Sequence, residues 1–497
     1  MPQPSGCQER GRSLWVTAAC VTSVVAALLF AGAPAVAQTL TESFAYAYNN
    51  NPALLAQRAA LRATDEGVPQ ALSNWRPTVT FSGSATAERG GFVQPEINTA
   101  PSFFPGPAPC GGSFPQNFGE HCAPTQFSNF LSKTLDLKIT QPVYRGGRTE
   151  AQTRAAINTV HATRAQTLGV ETQVFQAVAQ AYLDVVRDQT LVEVSRNNEQ
   201  VLHKQLDATR DRFRVGEVTR TDVAQAESSL AQATAQRIQA EGTLESSRAN
   251  FARFVGHPPG RLVMPRERPV LPATREEALS LASNDNPNVI AASFTELAAR
   301  DNVDLVRGQL LPQVSIVGDL NRSFAPSFTL RNIRQDTASV TAQLTMPLYE
   351  GGAIYSQTRA AQQTVGQRRS QVDDARRQAV QTATQNWETL HAARAAIASF
   401  DSAVKAAQIA LEGTQQEALV GSRTVLDVLI AEQQLFTTQS SLVQAQHDAA
   451  VAEFNLAAAT GRLIAPELKL PVQLYDMDRH YKSVKDKWAG FGGGLKE

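Results

Sequence analysis

The chain has 497 residues, 42% hydrophobic and 19% charged, with 46 basic residues against 46 acidic ones. That balance leaves no basic patch for nucleic acid and no acidic tail. Beyond residue 37 no apolar run reaches the roughly 18 residues that a membrane-spanning helix requires, which leaves β-strands as a route into a membrane.

Residues 1–37 read as a secretory signal peptide. Arg10 and Arg12 precede an apolar run over 14–30, and Ala35, Val36 and Ala37 fit small-residue cleavage before Gln38. An uncleaved anchor is the other reading. Two of the four cysteines lie in this segment, leaving Cys110 and Cys122. In an exported chain, two cysteines twelve apart in a loop-like stretch suggest a disulfide; a metal pair fits less well, since no His or Cys spacing completes a site.

The next segment, 38–75, reads as helix. Thr39 and Glu42 form a capping box, and Asn51-Pro52 divides a short first helix from a longer one. A strand is expected at about 78–89 and another at 131–144, from alternation such as Leu135, Leu137 and Ile139 against Asp136, Lys138 and Thr140. Between them, 90–128 is crowded with Pro, Gly and Phe, holds both remaining cysteines, and reads as an insertion loop. After Gly147 a run with one glycine and no proline extends to Val215, with Leu168, Phe175, Val178, Tyr182, Val185 and Val192 at heptad-like spacing. This predicts a coiled-coil-like helix of about 100 Å. The chain turns at Val215, Gly216 and Glu217, returns as helix to about 255, and stops at His257, Pro258, Pro259 and Gly260.

The same series then recurs. Residues 141–256 align with 346–461 at a constant offset of 205, without a gap: Gln141-Pro142-Val143-Tyr144-Arg145-Gly146-Gly147 returns as Met346-Pro347-Leu348-Tyr349-Glu350-Gly351-Gly352. Thr274 and Glu277, Asn286-Pro287 and Pro312 repeat the earlier signals at an offset of 235, so the first copy carries thirty extra residues. Two copies of one unit follow, 38–260 and 274–465. Further strands are expected at 313–324 and 338–349, further long helices at 353–420 and 422–460, and a C-terminal segment at 471–497.

The outgoing arm of each helical hairpin is about twice the length of its return arm. An unpaired stretch would expose an apolar stripe, so the helix at 38–75 is expected to stack end to end on the return helix, and 274–311 to do the same. Four strands cannot close a barrel, and in lipid an open edge leaves N–H and C=O groups unpaired at several kcal/mol each. If these strands enter a membrane, several chains must share one barrel; a soluble sheet would need a cover for its apolar face. The fold class is therefore mainly α with a small β part.

No catalytic or cofactor motif is present: the seven histidines are scattered, there is no H-E-x-x-H and no G-x-S-x-G. The chain is expected to be no enzyme and to need no cofactor or metal. Charged residues stand out only at the two helix turns, Thr221 and Asp222 after the first, Arg423 and Asp427 after the second. Helix capping alone accounts for both aspartates.

Capping box, Asn-Pro, strand hairpin, Pro-x-Tyr-x-Gly-Gly and a long helical hairpin with a Val-Gly turn, all present twice, resemble the TolC family of outer-membrane channel proteins. The most specific stretches are 205–223 and 420–429. The resemblance covers about 38–470 and implies a homotrimer. Three chains would build a twelve-stranded barrel in outer-membrane lipid and a periplasmic helical tunnel, serving as the passive exit duct of a tripartite efflux or type I secretion system. The partners implied are a periplasmic adaptor (membrane fusion) protein and an inner-membrane transporter. By position, Arg423 would pair with Thr221 or Asp222 at a periplasmic aperture and Asp427 would form a ring of carboxylates. The family's second acidic ring falls on Ile430, and its aromatic lock on Ala418. The adaptor would dock on the tips Val215, Gly216 and Glu217, and Val420, Gly421 and Ser422. A periplasmic coiled-coil adaptor or scaffold is the competing reading, but it lacks a reason for alternating strands beside both hairpins.

Overall fold

The computed structural model describes residues 38–92, 126–324 and 333–490. The expected signal peptide at 1–37, the expected disulfide between Cys110 and Cys122 and most of the expected loop at 90–128 lie outside the described residues. The chain divides into two units, one holding the described parts of Met1–Ala60, Arg164–Ala291 and Asp373–Asp476, the other Leu61–Thr163, Ala292–Val372 and Met477–Glu497.

Helix α1, Leu40–Asn50, opens with a complete capping box: the Glu42 N–H donates to the Thr39 hydroxyl at 3.2 Å and the Thr39 N–H donates to the Glu42 carboxylate at 3.1 Å. Helix α2, Pro52–Asp65, begins at Asn51-Pro52 and gives way to α3, Gly67–Leu72, and a 3-10 turn at Ser73–Trp75. The break falls at Glu66, three residues before Pro69, which has no N–H for the Asp65 carbonyl four residues earlier.

In the first repeat two long elements follow, α4 at Arg148–Arg214 and α5 at Arg220–Val255; in the second, α6 at Arg275–Asn284 and α7 at Pro287–Arg307 open the copy. Residue 304, the counterpart of Pro69, is an aspartate, and α7 runs through it unbroken. The capping box expected at Thr274 is half formed. Its hydroxyl accepts the Glu277 N–H at 3.2 Å, but the Glu277 carboxylate takes the N–H of Ala273 at 2.8 Å. Thr274 is more extended than Thr39, with φ −126° against −84°, which carries its own N–H out of reach.

The second long hairpin is α8, Ala353–Leu419, and α9, Val425–Ala459; a short α10, Met477–Val484, lies near the C-terminus. Helices α4 and α8 have 67 residues each, about 100 Å at the usual rise per residue. The heptad-spaced Phe175, Val178, Tyr182 and Val185 are fully buried, and with Val192 they form a core with Phe44 and Tyr48 of α1, Phe251 of α5 and Phe454 of α9. The Phe44 and Phe175 rings lie 5.2 Å apart, a favourable tilted contact.

Both Asn-Pro pairs act as joints between helix ends. Asn51 uses its Oδ1 to accept the Ala53 N–H at 3.0 Å, capping α2, and its Nδ2 to donate to the Phe254 carbonyl in the last turn of α5 at 2.9 Å. Asn286 repeats this on the Asn288 N–H at 2.9 Å and the Ala459 carbonyl of α9 at 3.0 Å. One amide thus satisfies an orphan donor of one helix and an orphan acceptor of another. Gly256 and Gly461, with φ +108° and +74°, end the return helices. A Cβ on Gly461 would sit 2.7 Å from the Asp285 carbonyl oxygen.

The strands form one antiparallel sheet in the order β1 (Thr78–Phe92), β2 (Gln126–Arg145), β3 (Gln313–Phe324), β4 (Arg334–Thr345). Each repeat gives one hairpin, and β2 pairs with β3 to join them. Strands β1 and β2 extend into both ends of the stretch expected as loop, 90–128, because their ladder runs on to the pair Phe92 and Gln126. The strand expected at 338–349 is shifted to Arg334–Thr345. In the first repeat the equivalent of 346–349 stays in register with β3, across a bulge at Pro142/Tyr144; β4 lies at the sheet edge and has no such neighbour.

Register sorts the side chains by face. Val79, Phe81, Leu135, Ile139, Ile316, Leu320, Val340 and Leu344 share one face and are 43% to 82% exposed. The opposite face carries Thr80, Ser82, Thr134, Asp136, Asn321, Ser339 and Thr341. No helix among the described residues is long and apolar enough to cross a membrane.

Candidate functional site

The two helix turns share one backbone design. At the first, the Glu217 N–H donates to the Arg212 carbonyl and the Gly216 N–H to that of Phe213, both at 3.0 Å. At the second, Ser422 donates to Glu417 at 3.0 Å and Gly421 to Ala418 at 3.3 Å. These are the paired bonds of a Schellman ending, which needs a left-handed residue; Gly216 and Gly421 supply it with φ +82° and +81°. Thr219 and Thr424 then cap the return helices, and Asp222 and Asp427 complete the capping boxes. Val215 and Val420 protrude from the turns, 72% and 80% exposed.

The aspartates are held ionised by this geometry. Asp222 takes hydrogen bonds from the Thr219 hydroxyl at 2.7 Å and its N–H at 2.8 Å, which lower its pKa below the usual carboxylate range. Asp427 is lowered in the same way by the Thr424 N–H at 2.9 Å and hydroxyl at 2.8 Å. Capping therefore accounts for both residues within one chain.

Arg423 is exposed and pairs with Glu417 of its own hairpin at 2.9 Å. The expected pairing with Thr221 or Asp222 is not made within this chain, because the short return from Arg423 to the last turn of α8 brings Glu417 into reach first. Thr221 and Ile430 are exposed. Ala418 is buried with Leu411 and Val428, so it belongs to the hairpin's own core. The turns also pack on each other: Val425 and Leu429 of the second hairpin join Leu202, Leu206, Ala226 and Ala233 of the first.

The repeat offset exposes differences the motif search missed. Arg212 in the last turn of α4 becomes Glu417 in α8, a reversal of charge at one repeat position. The exposed pair Arg210 and Glu227, 2.7 Å apart, becomes Gln415 and Glu432, with Glu432 only 6% exposed. Burial raises the Glu432 pKa, partly offset by the Gln415 amide at 3.1 Å. Comparing residues 205 apart, charge by charge, would have found both.

A second buried polar cluster joins α4 to α9. His447, 8% exposed, has Nε2 at 2.9 Å from Asp184 and Nδ1 at 3.0 Å from Asp448. Arg187 bridges Asp184 at 3.1 Å and Asp188 at 2.8 Å, and Asp188 accepts from Ser247 of α5 at 2.5 Å. Burial opposes charge on His447, but the two carboxylates outweigh it and raise the pKa. No group of acidic, His and Cys side chains among the described residues is arranged to hold a metal.

The family described as "Outer membrane efflux protein" matches residues 46–257 and 278–462. This chain belongs to that family. The channel is 34% identical over 481 residues to the outer membrane efflux protein BepC of Brucella suis biovar 1, covering 95% of this chain and 97% of that one. It is 28% identical to the outer membrane protein TolC of Vibrio cholerae over 293 residues, 58% of this chain and 67% of that one. Its fold matches the outer membrane protein VceC of Vibrio cholerae with a TM-score of 0.68 at 21% identity, over 85% of this chain and 96% of that one. The channel is thus an exit duct of the outer membrane that extends into the periplasm, of the kind used in tripartite efflux and secretion.

Proposed function

We propose that three copies of this chain close one twelve-stranded barrel and continue it as a helical conduit narrowed at the helix turns. The observation that carries this reading is the sheet: among the described residues both edges are unpaired in one chain, and its apolar face is bare. An open edge is excluded from lipid, and twelve strands from three equivalent chains remove every edge. The polar side chains of the opposite face, Asp136 among them, would then line the lumen.

In this assembly Asp427 of each copy contributes to a ring at the narrowest point, and the exposed Ile430 adds an apolar ring where the family's second acidic ring stands. Arg423 exchanges Glu417 for Thr221 or Asp222 of an adjacent hairpin, holding the aperture shut. The protruding turns Val215, Gly216, Glu217, Val420, Gly421 and Ser422 receive the periplasmic adaptor, which connects the duct to an inner-membrane transporter. Conduction is passive and involves no catalytic residue and no cofactor.

The test is the mass of the protein extracted from isolated outer membranes in detergent. A particle of three chain masses is expected. A monomer that stays folded in detergent would remove the shared barrel.

A further inference from the structure

A row of cations crosses the apolar face of the sheet at the far end of β3 and the near end of β4, with Leu131 of β2 beyond it on the same face. Register places Lys133 of β2, Phe324 of β3 and Arg334 of β4 side by side. One pair of residues closer to the helices, Arg322 lies between Leu135 and Asp336. Arg89 shares the face, four residues beyond Ala85, the β1 partner of Lys133. All four cations are exposed. Asp336 is the one acid on this face among the described residues, and it is held between Arg322, at 2.7 Å, and Arg334. Lys133 pairs with no carboxylate among the described residues.

The rest of the face is uncharged. From Val314 to Leu320 it spans about 20 Å of strand, close to the apolar band of a membrane barrel. Arg and Lys on a lipid-facing surface are costly at the midplane and tolerated at the interface, so the row marks an interface. The helices identify which one. They join the strands at the opposite end, where α4 starts three residues after β2. With the helices in the periplasm, the cations stand at the outer leaflet.

We propose that Lys133, Arg322 and Arg334, with Arg89, bind the phosphate groups of an outer-leaflet phosphoglycolipid of the lipid A type. Guanidinium groups offer paired donors that match phosphate oxygens, and Lys133, Arg322 and Arg334 against the single Asp336 leave an excess for an anionic headgroup. Phe324, between two of the cations, sits at headgroup level, where aromatic rings favour the boundary of sugar and acyl chain. The proposal rests on the sheet standing in the outer membrane with this face towards lipid.

The test uses the full chain in detergent with three probes: bisphosphorylated lipid A, the same lipid with both phosphates removed, and inorganic phosphate. Bound lipid is read by native mass spectrometry and by the shift in thermal midpoint. The bisphosphorylated lipid is expected to bind and raise the midpoint, and K133Q/R334Q is expected to weaken it at least tenfold. Equal binding of the dephosphorylated lipid, equal binding by the variant, or the same midpoint shift with inorganic phosphate would each overturn the proposal. Flotation with phosphatidylcholine vesicles separates the two readings: wild-type protein that fails to float refutes the membrane sheet itself. If the double variant does not fold, K133Q, which breaks no ion pair among the described residues, is measured alone and is expected to weaken binding.

Discussion

At the scale of single residues, charge state follows from what each side chain touches. His447 stands between Asp184 and Asp448, with Arg187 facing Asp184 from the same helix. Only the protonated imidazole carries a positive charge for both carboxylates to attract. Because its folded pKa is raised, the stabilisation is fully present below the unfolded value and is lost as pH rises through the folded value. His447→Gln should therefore lower the thermal midpoint in mildly acidic buffer and do so progressively less as pH rises. A destabilisation that does not change with pH would mean that packing alone is lost. The sequence showed His447 as one of seven scattered histidines; Asp448 is its neighbour, but Asp184 comes from a helix more than 250 residues away, and no local spacing announces it.

At the scale of elements, two joints and two turns set the geometry. Asn51 and Asn286 each cap one helix and donate to the end of another. Replacing either by Ala removes the cap and a buried hydrogen bond, a loss of about 1–3 kcal/mol, read as a lower thermal midpoint. Asn51→Asp keeps the acceptor for Ala53 but loses the donor for Phe254. Full recovery with Asp would show that only the cap matters and that the joint does not. The Asn-Pro signal was legible as a boundary because proline constrains its neighbour; the second hydrogen bond was not, since its acceptor lies 203 residues on.

For the whole molecule, the aperture assignments depend on contacts between copies. In one chain Arg423 is satisfied by Glu417. If closure depends on Arg423 reaching Thr221 or Asp222 of a neighbour, then R423A and D222N should both raise single-channel conductance in bilayers severalfold, and E417Q should not. Equal effects of E417Q and R423A would assign Arg423 to the stability of its own hairpin. The two hairpins differ where this matters: Arg212 has become Glu417, and the Arg210 partner of Glu227 has become Gln415 beside Glu432.

The sequence by itself determined the internal repeat, the long helices, the turns at Val215-Gly216 and Val420-Gly421 and the presence of four alternating strands. Each of these rests on local signals: period, caps, glycine at positive φ and proline breaks. It also determined which face of each strand is apolar, because alternation has period two. Tertiary structure alone decided that the two hairpins merge through β2 and β3 into one sheet, that β4 stops at Thr345, and that Arg423 turns to Glu417. It also brought Lys133, Phe324 and Arg334 into one row. Those outcomes depend on which distant segment arrives beside each residue, and in a chain built from two like halves the local pattern is nearly the same for both candidates.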